Sequence, residues 1–412
     1  MNNWKKYKLG EISRDISYGY TESASDECIG PKFLRITDIV GKLDWNTVPY
    51  CKIDENNYRK YKLEIGDIVI ARTGATTGAT EIIKKNIDAV FASYLIRFQI
   101  DEKMANPFYI GYVLKSNYWK NFVSSIIGGS AQPGANAKQF ANFEISLPDL
   151  PTQSRIAQIL TSFDDKIELL QQMNQTLETM AQAIFKEWFV ASTGSATAPF
   201  PEYVEGNLPK GWRRGKLGEV CFVQNGYAFK SNDLKDFGDD SIIKIKNISN
   251  KQVDIINTQF VSKTVSEKVD LKFKVESGNI LIAMTGAEVG KIGLVPKNNK
   301  SLWLNQRVGN FKEKVKFGKW FVFLILVQDE YQSLLFSSAS GSAQPNISAS
   351  QIEDIEITVP NKELIEEFGI IVNPFFEKIL ENQHQIRILT QLRDNLLPKL
   401  MSGKVEVNLY KF

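Results

Sequence analysis

Residues 156–188 read IAQILTSFDDKIELLQQMNQTLETMAQAIFKEW. Within them Ile156, Leu160, Phe163, Ile167, Leu170, Asn174, Leu177, Ala181, Ile184 and Trp188 follow one another at steps of four and three. This is the seam of a heptad helix, interrupted only by Asn174 and Ala181. Advancing each number by 212 yields Phe368, Val372, Phe375, Ile379, Asn382, Ile386, Leu389, Arg393, Leu396 and Leu400, a second seam. A helix with such a seam cannot hide it alone, so two in one chain predict an intramolecular pair with globular matter between them. Taken as counterparts, Asn174 and Asn382 need not face one another in an antiparallel pair, but each disfavours slippage of register.

The repeat extends beyond the helices. Lys8-Leu-Gly-Glu11 returns as Lys216-Leu-Gly-Glu219, Gly19-Tyr20 as Gly226-Tyr227, and Leu34-Arg-Ile-Thr-Asp-Ile39 as Ile243-Lys-Ile-Lys-Asn-Ile248. Gly66-Asp-Ile-Val-Ile-Ala-Arg-Thr-Gly74 matches Gly278-Asn-Ile-Leu-Ile-Ala-Met-Thr-Gly286, and Gly129-Ser-Ala-Gln-Pro133 matches Gly341-Ser-Ala-Gln-Pro345. The organisation is therefore globule, helix, globule, helix. We place the globules at residues 1–150 and 212–360, the helices at 151–190 and 361–402, a Ser-, Thr-, Ala-, Gly- and Pro-rich linker at 191–211, and a tail at 403–412.

At 412 residues, 43% hydrophobic and 24% charged, the chain has the composition of a soluble globular protein with two good cores. The most apolar run, Trp320 to Val327, is too short to span a bilayer, and the first residues lack the apolar core of a signal peptide, so a cytoplasmic location is expected. Cys28, Cys51 and Cys221 are widely spaced, and His384 is the one histidine, which argues against both a disulfide framework and a zinc site. The net charge of +3 says little about nucleic acid. The globules carry 19 basic against 17 acidic residues and 20 against 16, an excess that a solvated surface explains nearly as well.

Within a globule the signals are short and mostly extended, as in Phe33-Leu-Arg-Ile36, Ile68-Val-Ile70, Tyr94 to Ile100 and Phe143 to Leu147. One helix is expected from Phe108 to Trp119, opened by Asn106-Pro107. These signals predict an α+β protein with mainly-β domains. Gly369 and Asn373-Pro374 fall inside the second seam, so a kink or late start is expected near Pro374.

Several segments imitate catalytic motifs and fail on inspection. Asn106-Pro-Phe-Tyr109 and Asn373-Pro-Phe-Phe376 resemble the tetrapeptide with which amino-methyltransferases hold adenine, but both read as helix starts and no S-adenosylmethionine loop accompanies them. Gly286-Ala-Glu-Val-Gly-Lys291 is one residue short of a phosphate loop and runs into Ile292. Asp149 with Asp164-Asp165-Lys166 mimics a metal-dependent nuclease, yet the latter three lie on the heptad helix.

Two loops per globule are more suggestive. Arg72-Thr-Gly-Ala-Thr-Thr-Gly78 is small and hydroxyl-rich, is flanked by Lys84 and Lys85, and is answered by Met284-Thr-Gly-Ala-Glu-Val-Gly290 before Lys291. Such loops approach phosphates through backbone N–H groups while Arg and Thr reach base edges; a tight hairpin without ligand is the competing reading. In the second loop, Gln132 and Gln344 suit bidentate pairing with adenine or simply tie the loop to its own backbone.

Taken together, these motifs resemble the DNA-specificity subunit of type I restriction-modification enzymes. Met180-Ala-Gln-Ala-Ile-Phe-Lys-Glu-Trp-Phe189, Leu208-Pro-Lys-Gly-Trp212 and Leu396-Leu-Pro-Lys-Leu-Met-Ser-Gly403 sharpen the resemblance. It implies two target recognition domains separated by two long antiparallel coiled-coil helices in an internal pseudo-twofold repeat. Each domain would read one half of a bipartite, asymmetric site in double-stranded DNA, with the gap set by the spacer helices. Chemistry would belong to partners, namely two methyltransferase subunits using S-adenosylmethionine and restriction-translocase subunits using ATP and Mg²⁺. No cofactor is expected in this chain.

Carried onto this sequence, the candidate DNA contacts are Tyr20, Arg35, Arg72, Thr73, Thr76, Thr77, Lys84, Lys85 and Gln132 in the first domain. In the second they are Tyr227, Lys244, Lys246, Thr285, Glu288, Lys291 and Gln344. Arg72 leads for guanine, Glu288 either accepts from cytosine or repels the backbone, and Lys84, Lys85, Lys244, Lys246 and Lys291 are assigned to phosphates. Because Met284 answers Arg72, Glu288 answers Thr76 and Val289 answers Thr77, the half-sites should differ. Two other classes stand against this reading: a stand-alone DNA methyltransferase or nuclease, and a coiled-coil interaction scaffold.

Overall fold

The computed structural model describes residues 4–41, 43–128, 134–190, 208–339 and 345–405. Gln132, Gln344, most of the expected linker (191–207) and the end of the tail (406–412) lie outside the described residues. The described chain forms two compact units, Met1–Lys166 with Leu389–Phe412, and Ile167–Ile388. Each unit therefore contains one globule and a segment of each long helix.

The first globule is organised on Ile68–Ala71, whose four residues are all buried. Ile68 and Ile70 point into one apolar cluster and Val69 and Ala71 into another, as the twofold period of a strand covered on both faces requires. This strand lies between Leu95–Ile100 and Thr80–Ile82, with Ser13–Tyr18 beyond, and every pairing is antiparallel. A parallel pair, Lys32–Leu34 with Ala89–Phe91, and an antiparallel pair, Lys5–Lys8 with Glu144–Leu147, complete the domain. The expected single helix is two helices, Pro107–Val113 and Asn117–Ile127. Asn106 caps the first as anticipated, and Ser116 starts the second by accepting a bond from the Trp119 N–H.

The second globule repeats these elements in the same order. Ile280–Ala283 is again fully buried, sending Ile280 and Ile282 to one cluster and Leu281 and Ala283 to the other. It pairs with Val308–Glu313 and Ile292–Leu294, but the sheet is extended by Lys251–Val253 and Ile248–Ser249. A four-stranded sheet with Asp240–Ile243 and Leu302–Leu304 at its centre replaces the smaller parallel pair of the first globule.

The first long helix spans Leu150–Phe185 and continues as a π-helical turn, Lys186–Val190. Asp149 caps it, accepting from the Thr152 N–H at 2.9 Å. The second spans Lys362–Met401, and Asn361 caps it through the Leu364 N–H at 3.0 Å. The late start expected at Pro374 is therefore wrong, and Asn373-Pro374 is not a helix start. Local packing offsets the bond that proline removes, a loss of about 3 kcal/mol in a helix interior. Asn373 Oδ1 accepts from Trp320 Nε1 at 2.9 Å, and Trp320 stacks on Phe376 with centroids 4.1 Å apart. No helix among the described residues is long and apolar enough to cross a membrane.

Inside each unit the helix segments run antiparallel. In the first, Asp164 meets Arg393 while Leu160 shares a cluster with Leu396 and Leu400. In the second, Asn174 meets Asn382 while Phe185 meets Phe368. Through Ala181 the seam positions are buried except for Phe163 and Leu177, which are half-buried; beyond it Phe185 and Phe189 replace Ile184 and Trp188 as the most enclosed residues. This is the drift of a 3.6-residue helix against a 3.5-residue pattern.

Asn174 and Asn382 do face one another, with Asn382 Nδ2 donating to Asn174 Oδ1 at 2.8 Å. They are not repeat counterparts: the 212-residue offset carries Asn174 onto Ile386 and Asn382 onto Leu170. A buried amide pair at one seam level penalises any slip that would set either amide against an apolar residue. Replacing Asn382 alone by Leu strands the Asn174 amide and should cost about 1–3 kcal/mol. Leu at both positions should instead raise the thermal midpoint of the intact chain. A double variant less stable than the Asn382→Leu single would contradict this role.

Candidate nucleic-acid interface

The hairpin Ile68–Ala71 to Thr80–Ile82 carries the first loop at its tip. Gly74 and Gly78 adopt φ of 75° and 85°, which brings the loop into a compact turn. At Gly78 a Cβ would lie 2.5 Å from the Val123 side chain, so glycine is required for the close approach as well. The described residues that follow, from Gly134, pack onto this turn. Thr73 bridges to Gly134, the Arg72 carbonyl accepts from the Ala135 N–H at 2.9 Å, and the Tyr18 hydroxyl accepts from the Ala137 N–H at 3.1 Å.

Arg72 sits at the centre of this rim. Its Nε donates to the Ser93 carbonyl at 3.0 Å, and the guanidinium lies 5.2 Å from the Tyr18 ring centre and 5.9 Å from that of Tyr94. Both tyrosines are exposed, and neither Nη of Arg72 has a partner among the described residues. Two aromatic faces thus orient a planar fork whose outer donors remain available. Tyr20 joins the same rim, since its carbonyl accepts from the Ser93 N–H at 2.8 Å, and its ring lies against Tyr61. Tyr18 ends the strand before Gly19 and Tyr94 occupies the turn before Leu95–Ile100; neither tyrosine recurs in the second repeat, so the repeated motifs gave no signal for them.

Several other candidates have different roles. Arg35 is held by Asp38 in a two-pronged pair, Nη2–Oδ1 at 2.9 Å and Nε–Oδ2 at 3.1 Å. Thr77 is buried and its hydroxyl donates to the Gly74 carbonyl at 2.7 Å, which stabilises the turn from within. Thr76 is half-buried in the same turn. Lys84 and Lys85 follow the far end of Thr80–Ile82, beside Asp67, to which Ile83 bonds. The register sets Lys84 opposite Gly66, six residues from Arg72, which at about 3.3 Å per residue is roughly 20 Å, so these lysines lie away from the loop tip. Lys85 is exposed, and Lys84 pairs with Asp164 at 3.2 Å.

The second rim has the same backbone and different chemistry. Thr285 bridges to Asn346, and Gly286 N–H and Ile347 N–H donate to the Pro345 and Met284 carbonyls. Met284 is only 5% exposed and fills the core beneath the loop, so it offers nothing to a ligand. Thr285 Oγ1 is buried and has no partner among the described residues. Glu288 and Lys291 pair with each other on the hairpin. Lys244 donates to Gln259 Oε1, and burial, then the charge of Lys246, hold its amine below the usual lysine range. Lys246 is exposed, and Tyr227 packs against Phe229 and Phe273.

Comparison with known proteins places this geometry. The family model described as "Type I restriction modification DNA specificity domain" matches residues 1–179 and 209–391. The chain belongs to this family. Among its relatives, the type I restriction enzyme HindI specificity subunit of Haemophilus influenzae is 28% identical over 98% of this chain and 100% of its own length. The MjaIX specificity subunit of Methanocaldococcus jannaschii is 27% identical over 83% of this chain and 76% of its own. A crystal structure of the type I restriction-modification S subunit from M. genitalium shares the fold, with a TM-score of 0.65, 16% identity and coverage of 97% and 96% of the two chains. The protein is thus a non-catalytic specificity subunit with two recognition domains.

Lys84 belongs to a polar cluster that fixes the first recognition domain to the helices of its own unit. Asp164 receives Arg393 Nη1 at 2.8 Å, Tyr112 Oη at 2.7 Å and Lys84 Nζ at 3.2 Å. Burial alone pushes the Asp164 carboxyl up, but the bonds from Arg393 and Tyr112 and the charges of Lys84 and Arg393 outweigh it and hold the group below the ordinary aspartate value. Its contribution to stability is complete above the unfolded-state pKa of about 3.9 and is lost as pH falls through the lower folded value. At neutral pH Asp164→Asn should therefore destabilise the first unit by about 1–3 kcal/mol. Acid titration of unfolding should show this difference from wild type shrinking below pH of about 4; a difference independent of pH would contradict the assignment.

Proposed function

We propose that each recognition domain of this specificity subunit reads one half of a bipartite, asymmetric site in double-stranded DNA through its rim. Two rims with one backbone plan but unlike side chains carry this reading. Arg72 with Thr73, Tyr18 and Tyr20 forms the first contact surface, and Thr285, Tyr227, Lys246 and the Glu288–Lys291 pair contribute to the second. Arg72 reads guanine O6 and N7, the usual bidentate partner of a guanidinium in the major groove. Exposed Lys85 remains a candidate phosphate contact away from the loop tip, and Gln132 and Gln344 remain candidates for adenine.

The chemistry resides in partner subunits. Two methyltransferase subunits using S-adenosylmethionine, and restriction-translocase subunits using ATP and Mg²⁺, would assemble on the chain, and the length of the spacer helices would govern the unread gap. Cytoplasmic assembly on chromosomal DNA fits this role. In the complex reconstituted with its methyltransferase subunits, Arg72→Ala should weaken discrimination at one base pair of one half-site by about 1–3 kcal/mol in a gel-shift titration. Arg72→Lys should recover part of the affinity without the discrimination, because an ammonium lacks the planar fork. Unchanged site preference in Arg72→Ala would contradict the assignment of the loop.

A further inference from the structure

The antiparallel ladders of the two domains set Arg72 and Met284 at the same place in the fold, and each has a residue opposite it on the neighbouring strand. Register runs Ala71 to Leu95 in the first domain and Ala283 to Val308 in the second. One step further, the Arg72 N–H donates to the Tyr94 carbonyl at 3.1 Å and the Met284 N–H donates to the Arg307 carbonyl at 3.0 Å. Tyr94 and Arg307 are thus structural counterparts. The offset between the repeats has grown from 212 to 213 at this point, which hides the correspondence in the sequence.

The guanidinium has in effect crossed the ladder. In the first domain it stands on the loop strand with an aromatic residue opposite; in the second a buried methionine takes the loop position and the arginine stands opposite. Arg307 is exposed, and its guanidinium makes no bond with any described residue. The other cations of this rim are lysines: Lys244 bonds to Gln259, Lys291 pairs with Glu288, and exposed Lys246 carries an ammonium without a planar fork. The domain has two further arginines, Arg213 and Arg214, and both lie on the strand Arg213–Lys216, paired with Glu356–Val359. Arg307 is therefore the only guanidinium on the second rim.

We infer that Arg307 is the specificity-determining side chain of the second recognition domain, reading a guanine edge in the second half-site. The inference rests on the proposed half-site reading and adds a residue to it. Residues opposite one another in an antiparallel pair are separated by about 4.5–5.5 Å, more than the rise of about 3.4 Å per base pair. Moving the fork across the ladder shifts the base it reaches, so two domains of one fold need not specify guanine at equivalent positions.

The test uses the full chain reconstituted with its methyltransferase subunits and a panel of duplexes carrying single base-pair changes across both half-sites. Arg307→Ala should reduce discrimination at one base pair of one half-site by about five- to 150-fold and leave the other half-site unaltered. Arg307→Lys should restore overall affinity but not that discrimination. Unchanged discrimination at every position, an even loss across all duplexes, or full rescue by lysine would each overturn the assignment. A wild-type complex that discriminates at no position would overturn the half-site reading itself, which separates the two failures.

Discussion

Neither long helix can bury its seam unaided, and this constraint organises the chain. Ile156 and Leu160 are enclosed together with Leu396 and Leu400 in one unit, and Ala181 and Phe185 with Phe368 and Val372 in the other. Each unit thus depends on segments from distant parts of the sequence. Apolar burial supplies the drive for this pairing but is indifferent to register, since Leu packs on Leu at any heptad step. The Asn174–Asn382 bond adds the missing discrimination, because it is satisfied at one alignment only.

The two globules attach to their helix segments by different chemistry. In the first unit Asp164, Arg393, Tyr112 and Lys84 form a charged, hydrogen-bonded cluster. At the corresponding positions the second unit has Phe376, Ala181, Leu324 and Pro296, and its junction is dominated by the Trp320–Phe376 stack. A duplicated chain risks docking a domain on the wrong helix segment. Mismatched junctions oppose that error, since the wrong combination would bury an unpaired carboxylate against aromatic carbon.

Much of this was legible in the sequence, because periodicity and duplication are properties of spacing. The heptad seams, the repeated glycine loops and the Asn106 cap all survive in the structure. Contacts that depend on three-dimensional register were less accessible. Thr77 looked available in a hydroxyl-rich loop, yet it satisfies its own turn. Lys84 and Lys85 stand close to the loop in sequence, but they follow the open end of the hairpin while the loop is at its tip. Pro374 read as a breaker, and the Trp320–Asn373 bond holds the helix through it. Arg307 was hidden by a single-residue change of offset. The rims were therefore predictable as places and only partly as sets of side chains.

The central claim is that two domains of one fold read two different half-sites. Methylation mapping of a bacterial genome in a host carrying this chain with its methyltransferase partners tests it most directly. The account predicts one bipartite motif whose two halves differ in sequence and flank an unread gap. A continuous motif, or a symmetric one with identical halves, would contradict it.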